Sequence, residues 1–406
     1  MLQLKKGTNI LFELGGIKAR KQVAELFEQR IDAANRAKLD KIQNQHTRLK
    51  IANAIALMDP DDVFINTGSE EDLAHLRKLS LERGEERPLA IDGHSVHFDL
   101  AEEQARIVDR TYYIVNEGSD VSIMANKLLR DEACDYIKSH MTGIAKGMTL
   151  FVGFYSRGPI GAQPSLPALE ISTSTYVMHS ASILYRNAYK EFDDEAVRAG
   201  FVIANIHSQG PNRPEDLPNA RVFMDRSWQT TYSMFCTYAG NTLLLKKGNH
   251  RLAVDLSTYY KKGSELSEHM FVTGLRGAEG RVTYFAGAAP SGCGKTTTAM
   301  VGTDFVGDDL AQLWIDDDGI LRAINPERGI FGIVRDVNEE GDPHLTKALR
   351  EPGAEVIFSN VLVDENDVLR WVGDGRPPPE GGRNFQGDWT PDKVDANGKP
   401  VPMSHP

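Results

Sequence analysis

The chain has 406 residues, 41% of them hydrophobic, with a formal net charge of -11 and three cysteines. That length and apolar content are enough for two or three folded domains with a large core, and they exclude a disordered chain. The acidic balance argues against a general nucleic-acid or anionic-membrane surface, since both need clustered Lys and Arg; a local basic pocket for a small anion stays open.

Cys134, Cys236 and Cys293 show no CxxC spacing, which fits a reducing compartment and no disulfide framework. The start, "MLQLKKGTNILFELGG", lacks the apolar core and cleavage site of a signal peptide. No run of about 18 apolar residues occurs, so no membrane span is expected. These features predict a cytoplasmic protein.

In chain order, residues 17–58 are rich in Ala, Leu, Glu, Lys, Arg and Gln with apolar residues at helical spacing, which predicts two helices with solvated charged faces. "DDVFINTG", "RTYYIVNEG" and "MTLFVGFYSRGPIGA" predict strands, the last running into a Gly-Pro loop. Strands and helices alternate onward, giving mixed α/β layers. "VTYFAGAAPSGCGKTTTAM" predicts strand, tight loop and helix. "DFVGDDLAQLWIDDDGILRAINP" predicts a β-meander turning at Gly319, with Asp316–Asp318 in the turn. From Gly373 the composition becomes loop-like, with little to form a core, and the prolines at 377–379 read as a surface loop.

The stretch "APSGCGKTTT" carries the chemistry. In a phosphate-binding loop, successive backbone N–H groups wrap the phosphate oxygens. A lysine neutralises the outer phosphates, and a hydroxyl meets the nucleotide-bound cation. Gly287, Gly292 and Gly294 allow the close approach, with Lys295 and Thr296 in those roles, although Ala289 stands where the usual pattern has Gly. Asp308 and Asp309 follow a short apolar run, where an acidic pair could hold a cation or simply open a turn. Cys293, inside the loop beside Lys295, is expected to be a reactive thiol. Taken locally, Lys246 and Lys247 read as surface charges. His269 reads as a structural or exposed side chain near a helix end.

Together these stretches resemble the GTP-dependent phosphoenolpyruvate carboxykinase family. The resemblance runs in order through "GSEED", "ARIVDRT", "RGPIGA", "YAGNTLLLKK", "EHM", "APSGCGKT", "VGDD", "RAINPERGIFG" and the closing "HP". It covers the chain from about residue 60 onward. It implies an α/β fold with a mixed-sheet N-terminal substrate domain, residues 1–245. A P-loop-containing C-terminal nucleotide domain, residues 246–406, would follow, incomplete because the family continues past this point. It also implies a carboxy-lyase of gluconeogenesis that converts oxaloacetate and GTP to phosphoenolpyruvate, GDP and CO2.

Carried over by position, the resemblance implies Lys247, His269 and Asp309 as ligands of an active-site Mn2+. Cys293, Lys246 and Lys295 would form the catalytic group. Arg106, Tyr238, Ala239 and Gly240 would meet the substrate. Ser291, Gly292, Cys293, Gly294, Lys295, Thr296, Thr297 and Asp308 would hold GTP and its Mg2+. Ala239 and Thr297 stand where the family usually has Gly and Asn. Two alternatives remain at this point: a different P-loop kinase or NTPase, and a fragment that binds metal and phosphate without turnover.

Overall fold

Thr149–Arg157 is buried at every position but its first, and Leu166–Ser172 at all of them. Strands buried on both faces read as continuous apolar runs because both sides of their sheet are covered. The computed structural model describes residues 5–119, 121–261, 263–290 and 293–404. Within these the fold is mixed α/β, as expected. It divides into two compact units, each discontinuous in sequence.

The first unit comprises Met1–Arg77, Ala105–His269 and Leu310–Gly329. Its main sheet runs in the order Asp62–Asn66, Thr149–Arg157, Leu166–Ser172, Ile203–Ser208, Thr230–Met234, Arg221–Asp225, Thr111–Val115 and Asn126–Leu129. The short strand Arg186–Asn187 pairs with Thr149–Arg157 off this path. Parallel and antiparallel pairs are mixed, and the three strands read from the sequence all belong to this sheet. One face carries Val152, Phe154, Leu169, Ile171, Ala204 and Ile206 into the principal core, together with Ile51 and Ile55 of the helix Gln45–Met58. The opposite face presents Tyr155 and Thr231. The Tyr155 hydroxyl meets Ser182 of the helix Thr175–Leu184 at 2.9 Å. Thr231 lies under the helix Lys247–Asp255 so closely that a Cβ on Gly248 would stand 2.9 Å from its Oγ1. Glycine at that position lets the helix seat against the sheet.

Residues 17–58 hold three helices, not the two expected: Arg20–Arg30, Ala33–Leu39 and Gln45–Met58. The breaks have local causes. Asp32 accepts from the N–H groups of Ala34 and Asn35, and Asn44 accepts from that of Thr47. Each starts a new helix by satisfying first-turn donors.

The second unit comprises Lys78–Gln104, Met270–Asp309 and Ile330–Pro406. Met270–Arg276 is the centre of a three-stranded antiparallel sheet, flanked by Val282–Ala288 and Asp304–Gly307. The helix Lys295–Met300 is tied to it where the Thr273 hydroxyl donates to the Ala299 carbonyl at 2.8 Å.

The expected meander over 304–326 is corrected here. Ala311–Ile315 and Leu321–Ile324 do form a hairpin, with Asp316 accepting from the N–H groups of Asp318 and Ile320. That hairpin pairs with Glu265–Glu268 in the first unit, whereas Asp304–Gly307 belongs to the sheet of the second. The expectation of a coreless stretch after Gly373 also fails. Trp389 and Val401 are 6% and 5% exposed and pack with Leu362, and the Trp389 indole donates to the Val401 carbonyl at 2.9 Å. Two widely spaced apolar side chains leave no periodic signal, yet they close a small core. Among the described residues no helix is long and apolar enough to cross a membrane.

Candidate active site

The phosphate loop lies in the second unit. Strand Val282–Ala288 leads into the loop, and helix Lys295–Met300 leaves it, as the sequence predicts. Ser291 and Gly292 lie outside the described residues. Gly294 precedes the helix at φ +87°, a left-handed conformation that glycine adopts without strain, and its carbonyl accepts the first helical hydrogen bond from Thr298 N–H at 2.8 Å.

Two contacts join this helix to the acidic pair. Lys295 Nζ stands 2.8 Å from Asp309 Oδ1, and the Thr296 hydroxyl donates to Asp308 Oδ2 at 2.9 Å. Asp308 is buried at 3% exposure and Asp309 is half-buried. The Thr297 hydroxyl donates to Asp342 at 2.8 Å, a partner that no sequence pattern marked. Cys293 is exposed and its thiol donates to the Pro290 carbonyl at 2.5 Å. Hydroxyl and carboxylate oxygens at this loop are hard donors, a set that suits a divalent cation such as Mg2+ or Mn2+.

A separate group of the predicted site residues lies in the first unit. Gly240 is wedged between Arg106 and Tyr238: a Cβ on it would stand 2.8 Å from Arg106 Cγ and 2.7 Å from Tyr238 Cε1. Asn241 fastens this corner. Its Oδ1 accepts from Ile107 N–H and its Nδ2 donates to the Ala105 carbonyl, each at 3.2 Å, so the exposed Arg106 is clamped on both sides. Asn241 is in the quoted "YAGNTLLLKK" stretch, but nothing in its spacing marks it as a clamp. Ala239 is buried and opens the short helix Ala239–Thr242.

The local reading of Lys246 as a surface charge is overturned. It is 2% exposed and its Nζ lies 2.7 Å from Glu327 Oε1. Lys247, half-buried, begins the helix Lys247–Asp255. His269 does not end a helix; it joins the strands Glu265–Glu268 and Met270–Arg276, with its N–H donating to Glu268 at 2.7 Å. Its ring meets that of His250 edge-on at 4.3 Å. His250 Nδ1 lies 3.3 Å from Arg157 Nη2, and Arg157 Nη1 donates to Gln312 Oε1 at 2.5 Å. Arg157 is fully buried, and desolvation lowers it to about 10, so it stays protonated at neutral pH. Sequence reasoning missed Glu327, Arg157, His250 and Gln312, because each acts through a partner distant along the chain.

Residues 50–258 match the phosphoenolpyruvate carboxykinase N-terminal domain, and residues 265–406 match the phosphoenolpyruvate carboxykinase C-terminal P-loop domain. The chain belongs to the phosphoenolpyruvate carboxykinase family. Among curated relatives, the phosphoenolpyruvate carboxykinase [GTP] of Thermococcus sibiricus is 38% identical over 386 residues, covering 94% of this chain and 61% of the relative. That of Pyrococcus horikoshii is 39% identical over 373 residues, 91% of this chain and 59% of the relative. That of Neocallimastix frontalis is 29% identical over 398 residues, 91% of this chain and 63% of the relative. The chain therefore spans about three-fifths of the length of these carboxykinases.

Proposed function

We propose that this carboxykinase-family chain serves the reversible conversion of oxaloacetate and GTP to phosphoenolpyruvate, GDP and CO2. The observation that carries the reading is the pairing of Lys295 with Asp309 and of Thr296 with Asp308 at the end of a strand–loop–helix. A lysine and a hydroxyl presented together beside two carboxylates are what a nucleotide triphosphate and its cation require.

In this reading Arg106 binds a substrate carboxylate through charge-assisted hydrogen bonds, with Tyr238, Ala239 and Gly240 packed along the substrate. Loss of CO2 breaks a C–C bond of oxaloacetate and leaves its electron pair as an enolate. The enolate oxygen then attacks the γ-phosphorus of GTP, and the bond to GDP breaks. Lys295 and Lys246 offset charge on the transferring group, and the loop from Ser291 to Thr297 holds the phosphates in line. No side-chain nucleophile is required. Cys293 lines the loop. Lys247, His269 and Asp309 are the proposed ligands of Mn2+, and Thr296 with Asp308 nearby the proposed site of nucleotide-bound Mg2+. A divalent cation, when bound, supplies Lewis-acid stabilisation of the enolate oxygen and of phosphate charge. Cytoplasmic residence belongs to the same reading and rests on the sparse cysteines without CxxC spacing.

The test follows phosphoenolpyruvate, pyruvate and GDP together, with oxaloacetate, GTP and Mn2+, in the parent chain and in His269→Ala. Phosphoenolpyruvate formed by the parent and lost in the variant is expected. GTP hydrolysis with no phosphoenolpyruvate from the parent would overturn the reading in favour of another P-loop NTPase.

A further inference from the structure

The helix Lys247–Asp255 presents Lys247 and His250 at i, i+3, so the two share a face. His250 is 6% exposed, and two groups of the first unit converge on it. The His269 ring stands edge-on at 4.3 Å. Arg157, from the end of strand Thr149–Arg157, approaches Nδ1 at 3.3 Å. Gln312, from strand Ala311–Ile315, holds Arg157 in turn at 2.5 Å.

An arginine has only donors, so Nδ1 of His250 must accept, and the ring proton sits on Nε2. The ring is thereby fixed about both its tautomer and its plane. It forms a wall against which the His269 imidazole is held. The arrangement has the form of an outer shell that orients a metal-binding histidine.

We propose that His250, oriented by Arg157 and Gln312, is a positioning residue that sets the ring of His269 for binding a divalent cation. This rests on the reading of His269 as a metal ligand. His250 is not itself a ligand in this arrangement, because Arg157 occupies Nδ1 and the proton occupies Nε2. The buried guanidinium also has a reason to be where it is. Gln312 and His250 accept from its two terminal nitrogens, and the Glu327 carboxylate favours its charge, which together offset part of the cost of burying it.

The test compares Mn2+ affinity, read by paramagnetic resonance with MnCl2 as the probe, in the parent chain, His250→Gln, His250→Phe, Arg157→Met and His269→Ala. Gln keeps an acceptor for Arg157 but loses the aromatic wall shape; Phe keeps the shape but loses the acceptor. If orientation through Arg157 matters, His250→Phe weakens Mn2+ binding roughly tenfold, and His250→Gln stays closer to the parent. The nitrogen NMR signature of the His250 Nε2–H tautomer is lost in Arg157→Met. A Phe variant that binds as tightly as the parent, or a Gln variant weaker than Phe, means mere packing and overturns the proposal. Should Arg157→Met fail to fold, the Gln and Phe pair still decides. His269→Ala separates the layers. If it binds Mn2+ like the parent, the ligand reading fails and this inference falls with it. If it loses binding while His250→Phe does not, the positioning role alone is wrong.

Discussion

The ammonium of Lys246 lies 2.7 Å from the Glu327 carboxylate, and the two side chains are only 2% and 1% exposed. Burying two charges is tolerated when each neutralises the other; removing one leaves the other stranded. Glu327→Ala should therefore destabilise the first unit by about 3–5 kcal/mol, read as a lower urea midpoint. The double change Lys246→Met, Glu327→Leu should recover most of that stability. A single variant as stable as the parent would show that the pair is not closed in solution.

Lys295 holds the outer phosphates in the proposed reaction, and here it is paired with Asp309. Lys295→Ala should lower phosphoenolpyruvate formation by about 10²–10³-fold, the scale for removing one donor to developing charge. Thr296→Ala should chiefly weaken nucleotide binding in the presence of divalent cation. Steady-state assays with GTP titrations separate the two. Equal losses in kcat for both would not fit the assigned roles.

The three thiols differ in access. Cys293 is exposed, Cys134 partly covered and Cys236 buried. Alkylation followed by peptide mapping should modify Cys293 first, Cys134 next and Cys236 last. GTP should slow the Cys293 reaction, since the thiol sits in the proposed phosphate loop. No protection at saturating GTP would count against that placement.

His207 is fully buried, its Nδ1 2.8 Å from the Ser172 hydroxyl and its Nε2 2.9 Å from the Cys236 carbonyl. Desolvation lowers it to about 4, only partly offset by the Cys236 carbonyl. Between that value and the ordinary 6.5 the unfolded chain binds more protons, so the stability from His207 is present at neutral pH and lost as pH falls through that window. From pH 7 to pH 5 the loss from this one group is about 2 kcal/mol. The same pH change should cost His207→Gln that much less, measured by urea denaturation at both values. An unchanged pH dependence would mean His207 charges without unfolding.

The phosphate loop was legible in the sequence because its causes are local. A left-handed Gly294, small neighbours and a following helix are written within a dozen residues. The same holds for the Asp316 turn, where one side chain satisfies its own backbone. The caps at Asp32 and Asn44 were equally local, yet continuous helical composition over 17–58 masked them.

What only the tertiary structure decided is which side chains lose their water. The run "LLLKK" cannot say that Lys246 is buried, because the carboxylate that makes burial possible arrives with Glu327, 81 residues later. Nor can it say that His250 meets Arg157, 93 residues away, on a strand with which its helix shares no local pattern. The strand Asp304–Gly307 and the hairpin after it are neighbours in sequence, but each found its edge in a different sheet. Periodicity and turn chemistry act over one or two turns of chain and are readable directly. Burial, ion pairing and choice of sheet partner depend on segments that meet only when the chain has folded.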